Sequence, residues 1–151
     1  MYVNTLRTTV HSQMDTMRRL LLDSIDHPQK YQKKVQDARV VEFMTDGVIR
    51  EVRKDGSTIR EGISVAERKN EFLLTNELLE HPLYSGRILT RIVPTSVQNP
   101  MSPISLEVTL ELERKDFKVE GMLPGEEAIV KEVEEELEVF RKKAEEMEVH
   151  A

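Results

Sequence analysis

The stretch Asp46-Gly47-Val48-Ile49-Arg50-Glu51-Val52-Arg53-Lys54-Asp55-Gly56-Ser57-Thr58-Ile59-Arg60-Glu61 decides how this chain folds, because it sets two Asp-Gly pairs between runs of strand formers. Asp-Gly tolerates the positive φ that both central positions of a two-residue type I′ turn require, so each pair predicts a tight hairpin and fixes a register. Counting outward from Asp46-Gly47 sets Thr45 opposite Val48, Phe43 opposite Arg50 and Val41 opposite Val52. Counting from Asp55-Gly56 pairs Val52 with Ile59, Arg50 with Glu61 and Val48 with Ile63. One face then carries Val41, Phe43, Val48, Val52, Ile59 and Ile63, and the other carries Glu42, Ile49, Glu51, Arg53, Thr58, Arg60 and Gly62. The apolar face is the one to bury, and the Arg50/Glu61 pair stands on it.

Outward from this hairpin pair the period of two continues. Strands are predicted near 38–45, 48–54, 57–66, 71–79, 86–94 and 103–114, a six-strand meander. With a turn at Lys69-Asn70, Phe72, Leu74, Asn76 and Leu78 face inward; Ile88, Thr90 and Ile92 follow, and then Ile104, Leu106, Val108, Leu110 and Leu112. Loops fall at 81–86 and 97–103, both punctuated by proline. Before the meander, residues 2–10 read as a first strand. Ser12 with Asp15 reads as a capping box opening a helix on which Met14, Met17, Leu20, Leu21 and Ile25 recur, and His27-Pro28 ends it. Pro28 suits the first position of a second short helix, with Tyr31 and Val35 on its inner side. After the meander, Ile129, Val133, Leu137, Phe140, Ala144 and Met147 mark a long amphipathic helix over about 124–148.

Composition narrows the function classes. The chain has 151 residues, a net charge of −6 and no cysteine, which excludes disulfide scaffolds, thiol catalysis and cysteine-held metals. The acidic excess sits in residues 126–148, with ten acidic against four basic side chains, while the rest carries 18 of each. Without a basic excess, nucleic acid is not an expected partner. An acidic helix face reads first as a solvated surface. No secretory leader or membrane span is read from the sequence, so a cytoplasmic protein is the expectation. The histidines His11, His27, His81 and His150 stand far apart, outside any HxxxH or HExxH pattern, so no metal or other cofactor is expected; His81, before Pro82, reads as a turn cap.

A strand, two short helices, a meander and a long closing helix form an α+β architecture. The wet-faced, seven-stranded antiparallel sheet has to curl around the C-terminal helix to cover its apolar side. This order resembles the helix-grip, or START-like (SRPBCC), superfamily over the whole chain, read as a single domain of residues 1–151. Locally, residues 46–53, 55–61 and His81-Pro82-Leu83-Tyr84-Ser85-Gly86-Arg87 resemble its AtaL-like branch.

The superfamily resemblance implies a cavity between sheet and helix for an apolar or amphipathic small molecule, with lipid binding among its uses. The residues expected on its wall are Phe43, Arg50, Val52, Glu61, Leu74, Asn76, Thr90 and Leu106: apolar surface with a few polar groups, as small-molecule sites are composed. Arg50 offers a planar fork to a carboxylate, phenol or enol, and Glu61 holds that fork or moves a proton. The plainer reading of the pair is a cross-strand ion bridge at the end of the sheet, open to water. Two alternatives stand beside a carrier: a polyketide cyclase or aromatase-like enzyme using Arg50 and Glu61, and a protein-binding module resembling the chaperone activators. The oligomeric state is left open, with a homodimer through the edge at Val3 to Val10 as one possibility.

Overall fold

The computed structural model describes residues 1–115 and 124–149, so His150 lies outside the described residues. Strand β1 (Tyr2–Val10) leads into helix α1 (Met14–Asp26), a single 3-10 turn (Pro28–Lys30), strands β2 (Val35–Met44), β3 (Gly47–Lys54), β4 (Ser57–Arg68), β5 (Glu71–Glu80), β6 (Tyr84–Pro94) and β7 (Ile104–Arg114), and helix α2 (Pro124–Val149). The seven strands form one antiparallel sheet in the order β1-β7-β6-β5-β4-β3-β2, so each meander strand pairs with its predecessor and β1 closes onto β7. The second short helix shrinks to one 3-10 turn. Val35, predicted on its inner side, opens β2 instead, and β2 starts three residues before the expected boundary.

The two Asp-Gly pairs behave differently. At the second, Asp55 and Gly56 have φ of 50° and 77°, Lys54 pairs with Ser57, and the predicted register follows: Val52 with Ile59, Arg50 with Glu61, Val48 with Ile63. At the first, the turn residues are Thr45 and Asp46, and Met44 pairs with Gly47. Gly47 answers to a close approach instead, since a Cβ there would lie 1.9 Å from the Ile63 carbonyl oxygen. A register shift between Val40 and Glu42 then puts Val40 opposite Arg50 and Ala38 opposite Val52. The pairings Thr45/Val48, Phe43/Arg50 and Val41/Val52 are therefore corrected. Phe43 pairs with Val48 at the open tip of the hairpin and is 82 % exposed, and Val41 faces solvent as well. A bulge adds a residue to one strand only, which local turn chemistry does not announce.

The core lies between the sheet and the two helices. Ile104, Leu106, Val108, Leu110 and Leu112 of β7 are all buried, as are Phe72 and Leu74 of β5 and Ile92 of β6. Against them α2 lays Val133, Leu137, Phe140 and Ala144, and α1 lays Met17 and Leu21. Met147, expected in the stripe, is 41 % exposed. The capping box does not form. Gln13 is the N-cap and makes no side-chain cap bond, and the Ser12 hydroxyl donates to the Gln13 carbonyl instead. Carboxylates from α2 take over the role: Glu145 accepts from the His11 amide at 2.9 Å, and Glu148 accepts from the Gln13 amide at 3.2 Å and from the Thr16 hydroxyl. Negative charge thus stands at the positive end of α1, and part of the acidic tail is structural. Tyr31 fixes the other end of this layer, stacking on Phe140 with centroids 4.3 Å apart and donating to Asp23 at 2.8 Å.

Candidate functional site

Helix α2 comes closest to β1 and α1, and it stands off from the middle of the sheet. The space left over is a cavity of about 120 Å³ between β3–β6, α1 and α2. Its apolar wall includes Val52, Ile63, Leu74 and Ile88 from the sheet, Leu21 and Ile25 from α1, and Val133 and Phe140 from α2. Its polar wall is Arg50, Lys54, Glu61, Asn76, His81, Thr90, Glu132 and Glu136. Six of the eight residues expected from the sequence therefore line one cavity: Arg50, Val52, Glu61, Leu74, Asn76 and Thr90. Phe43 does not, because the β2 register carries it to the exposed hairpin tip. Leu106 is fully buried in the core without reaching the cavity.

The Arg50/Glu61 pair is buried, at 5 % and 8 % exposure, rather than open to water. Arg50 Nε donates to Glu61 Oε1 at 3.0 Å, and Nη1 donates to the carbonyls of Ser24 at 2.9 Å and Ile25 at 2.8 Å. Those carbonyls belong to the last turn of α1, which leaves its final carbonyls unpaired and has no basic residue of its own there. Arg50 thus supplies from the sheet the positive charge that this helix end favours. A register shift between Arg60 and Glu61 sets Ile63 opposite Asn76, so Asn76 sits diagonally from Glu61. Asn76 Nδ2 donates to Glu61 Oε2 at 2.6 Å, and both carboxylate oxygens are then occupied. Asn76 Oδ1 is buried and has no partner among the described residues.

A second set of charges closes the cavity on the α2 side. Lys54 Nζ donates to Glu132 Oε2 at 2.6 Å, and Lys34 lies 3.0 Å from the other oxygen. Burial pushes the Glu132 carboxyl up, but these two ammonium groups outweigh it and hold the group below its usual value. His81 Nδ1 accepts the amides of Leu83 and Tyr84, both at 3.1 Å, so the turn-capping role expected for it is what the geometry has. Burial, and then the nearby Lys54 charge, lower its pKa and favour the neutral ring. Glu136 differs from all of these. It is half-buried and has no hydrogen-bond or ion-pair partner among the described residues, and loss of water around it pushes its carboxyl up to about 7 against the pull of Lys54 and Arg50. Gln32, Lys54, Glu132 and Glu136 also line an outer groove, so they form the partition between cavity and solvent.

Sequence reasoning missed Lys54, Glu132 and Glu136. A signal for Glu136 exists, since it follows Val133 by three residues and precedes Phe140 by four, placing a carboxyl on the apolar arc of α2. Among the described residues no group of three or more acidic or histidine side chains is placed to hold a metal ion, and no helix is long and apolar enough to cross a membrane.

No family model matches the chain, and no curated protein matches it. Solved structures do. The protein XoxI from Bacillus cereus superposes with a TM-score of 0.69 at 15 % identity, over 98 % of this chain and 99 % of that one. A START superfamily protein from Mycobacterium smegmatis gives 0.64 at 15 % identity, over 96 % and 98 %. The protein Ara h 8.0201 gives 0.61 at 13 % identity, over 95 % and 97 %. The chain therefore has the START-like helix-grip fold expected from its element order.

Proposed function

We propose that the protein binds a small amphipathic molecule in the cavity between sheet and α2, acting as a carrier or by sequestration. The observation that carries this reading is the cavity itself, lined by apolar side chains and provided with polar groups from the sheet and from α2. A volume of about 120 Å³, below that of a dry cavity of about 150 Å³ that holds benzene, calls for a ligand no larger than a single small ring with its polar group. The START-like neighbours support a fold built to enclose apolar ligands. Arg50 and Glu61 serve the cyclase-like alternative poorly, because both carboxylate oxygens and the two inner guanidinium nitrogens are already engaged within the protein.

Titration of the isotope-labelled protein with benzyl alcohol tests the reading. Amide and methyl resonances of Val52, Leu74, Ile88 and Val133 are expected to move together at one-to-one saturation. Val133→Phe, which fills the space, is expected to abolish the response in a protein that stays folded. Benzyl alcohol that leaves these resonances unmoved up to its solubility limit refutes the cavity as a binding site.

A further inference from the structure

The charges around the cavity are paired unevenly. Glu61 has Arg50, and Glu132 has Lys54 inside and Lys34 outside. Glu136 has no counter-ion in contact among the described residues. Asn76 Oδ1, on the same cavity, is a buried acceptor without a donor. A carboxyl on α2 and an amide oxygen on the sheet, both left over on one cavity, ask for N–H or O–H donors. A half-buried carboxylate with no cation in contact favours a positively charged partner. The competing donor is Arg50 Nη2, but the charge of that guanidinium is already offset by Glu61 at 3.0 Å.

We infer that the ligand is an organic cation, a primary or secondary amine on a compact apolar body, with its ammonium on Glu136 and Asn76 Oδ1 and its body against Ile88, Leu74 and Val133. This rests on the cavity being a binding site. The ammonium supplies several donors and the missing charge at once, and the apolar body covers the wall that the polar groups leave. Binding then ionises Glu136 and releases its proton. On the cavity side the groups near Glu136 are Arg50 and Lys54 from β3, Glu61 from β4, His81 from the loop after β5, and Glu132 one turn earlier on α2; on the groove side they are Lys33, Lys34, Lys131 and Lys142 with Glu134, Glu135 and Glu138. Burial, and then the Lys54 charge, lower the His81 pKa and favour its neutral ring.

Benzylamine, benzyl alcohol and benzoate, titrated separately by NMR and calorimetry, test this. Benzylamine is expected to bind about 10- to 100-fold tighter than benzyl alcohol at pH 8. Its affinity is expected to rise about tenfold from pH 6 to pH 8, with the carboxyl resonance of Glu136 shifting its titration midpoint downward on binding. Glu136→Gln, close to isosteric, is expected to bring the amine down to the level of the alcohol and to remove the pH dependence. Equal affinity of amine and alcohol in the wild type, with no pH dependence, overturns the inference and leaves the cavity reading standing. Benzoate binding tightest overturns it in favour of Arg50 Nη2 as the anchor. Failure of all three ligands to perturb the cavity resonances overturns both readings together.

Discussion

Two glutamates face one cavity from opposite sides, and they have opposite fates. Glu61, on β4, meets Arg50 with one oxygen and Asn76 with the other, and the guanidinium beyond it grips the end of α1. Glu136, on α2, meets no such partner among the described residues, and burial alone dominates its ionisation. The same side chain is structural where the sheet surrounds it with donors, and titratable where a helix presents it to empty space. A buried carboxyl is thus read by its partners and not by its depth.

Breaking the sheet side has the largest expected effect. Arg50→Ala leaves Glu61 buried without its cation and frees the Ser24 and Ile25 carbonyls, so unfolding in urea is expected to show a loss of about 3–5 kcal/mol. Arg50→Met with Glu61→Leu is expected to recover part of that, since the uncompensated charge is gone while the Ser24 and Ile25 carbonyls and Asn76 Nδ2 stay without partners.

Lys54→Met comes next. It strips Glu132 of its inner partner, with an expected loss of about 1.5–3 kcal/mol. It also removes a cation that pulls the Glu136 carboxyl down, so the Glu136 midpoint, followed by carbon NMR, is expected to move upward from about 7.

Glu136→Gln sharpens the contrast from the helix side. A carboxyl whose folded pKa is about 7 against an ordinary 4.5 favours the folded state below pH 4.5, and that contribution fades as the pH rises through 7. The glutamine variant escapes this loss. It is expected to be more stable than the wild type by about 1–2 kcal/mol at pH 8 and to match it near pH 4, by thermal unfolding at both values. A gain at both pH values means that the effect is packing rather than ionisation.

The smallest effect is expected at Lys34, whose side chain is 49 % exposed and bridges Glu132 from outside. Lys34→Ala is expected to leave both the urea unfolding midpoint and the Glu136 titration midpoint where they were.

Local patterns carried much of the fold. The period of two placed all six meander strands, with ends off by three residues at most, and the 3-4 spacing placed the stripe of α2 from Val133 to Ala144. Where a rule of local geometry needed a tertiary condition, it failed. Gly47 serves a close approach of β4 and not a type I′ turn, and the bulge near Val41 moved Phe43 out of the site. The capping box at Ser12 lost to carboxylates arriving from α2.

The sequence by itself determined the order of the six meander strands, the register across Asp55-Gly56 and hence the meeting of Arg50 with Glu61, because alternation and turn chemistry act between neighbours in the chain. Only the tertiary structure decided what that pair holds and which carboxyl is left without a partner. Arg50 reaches carbonyls 25 and 26 residues away, and Glu136 reads as one more glutamate in an acidic run until α2 is set beside the cavity. Desolvation and ion pairing depend on what packs against a side chain across the molecule, and no spacing along the chain states that.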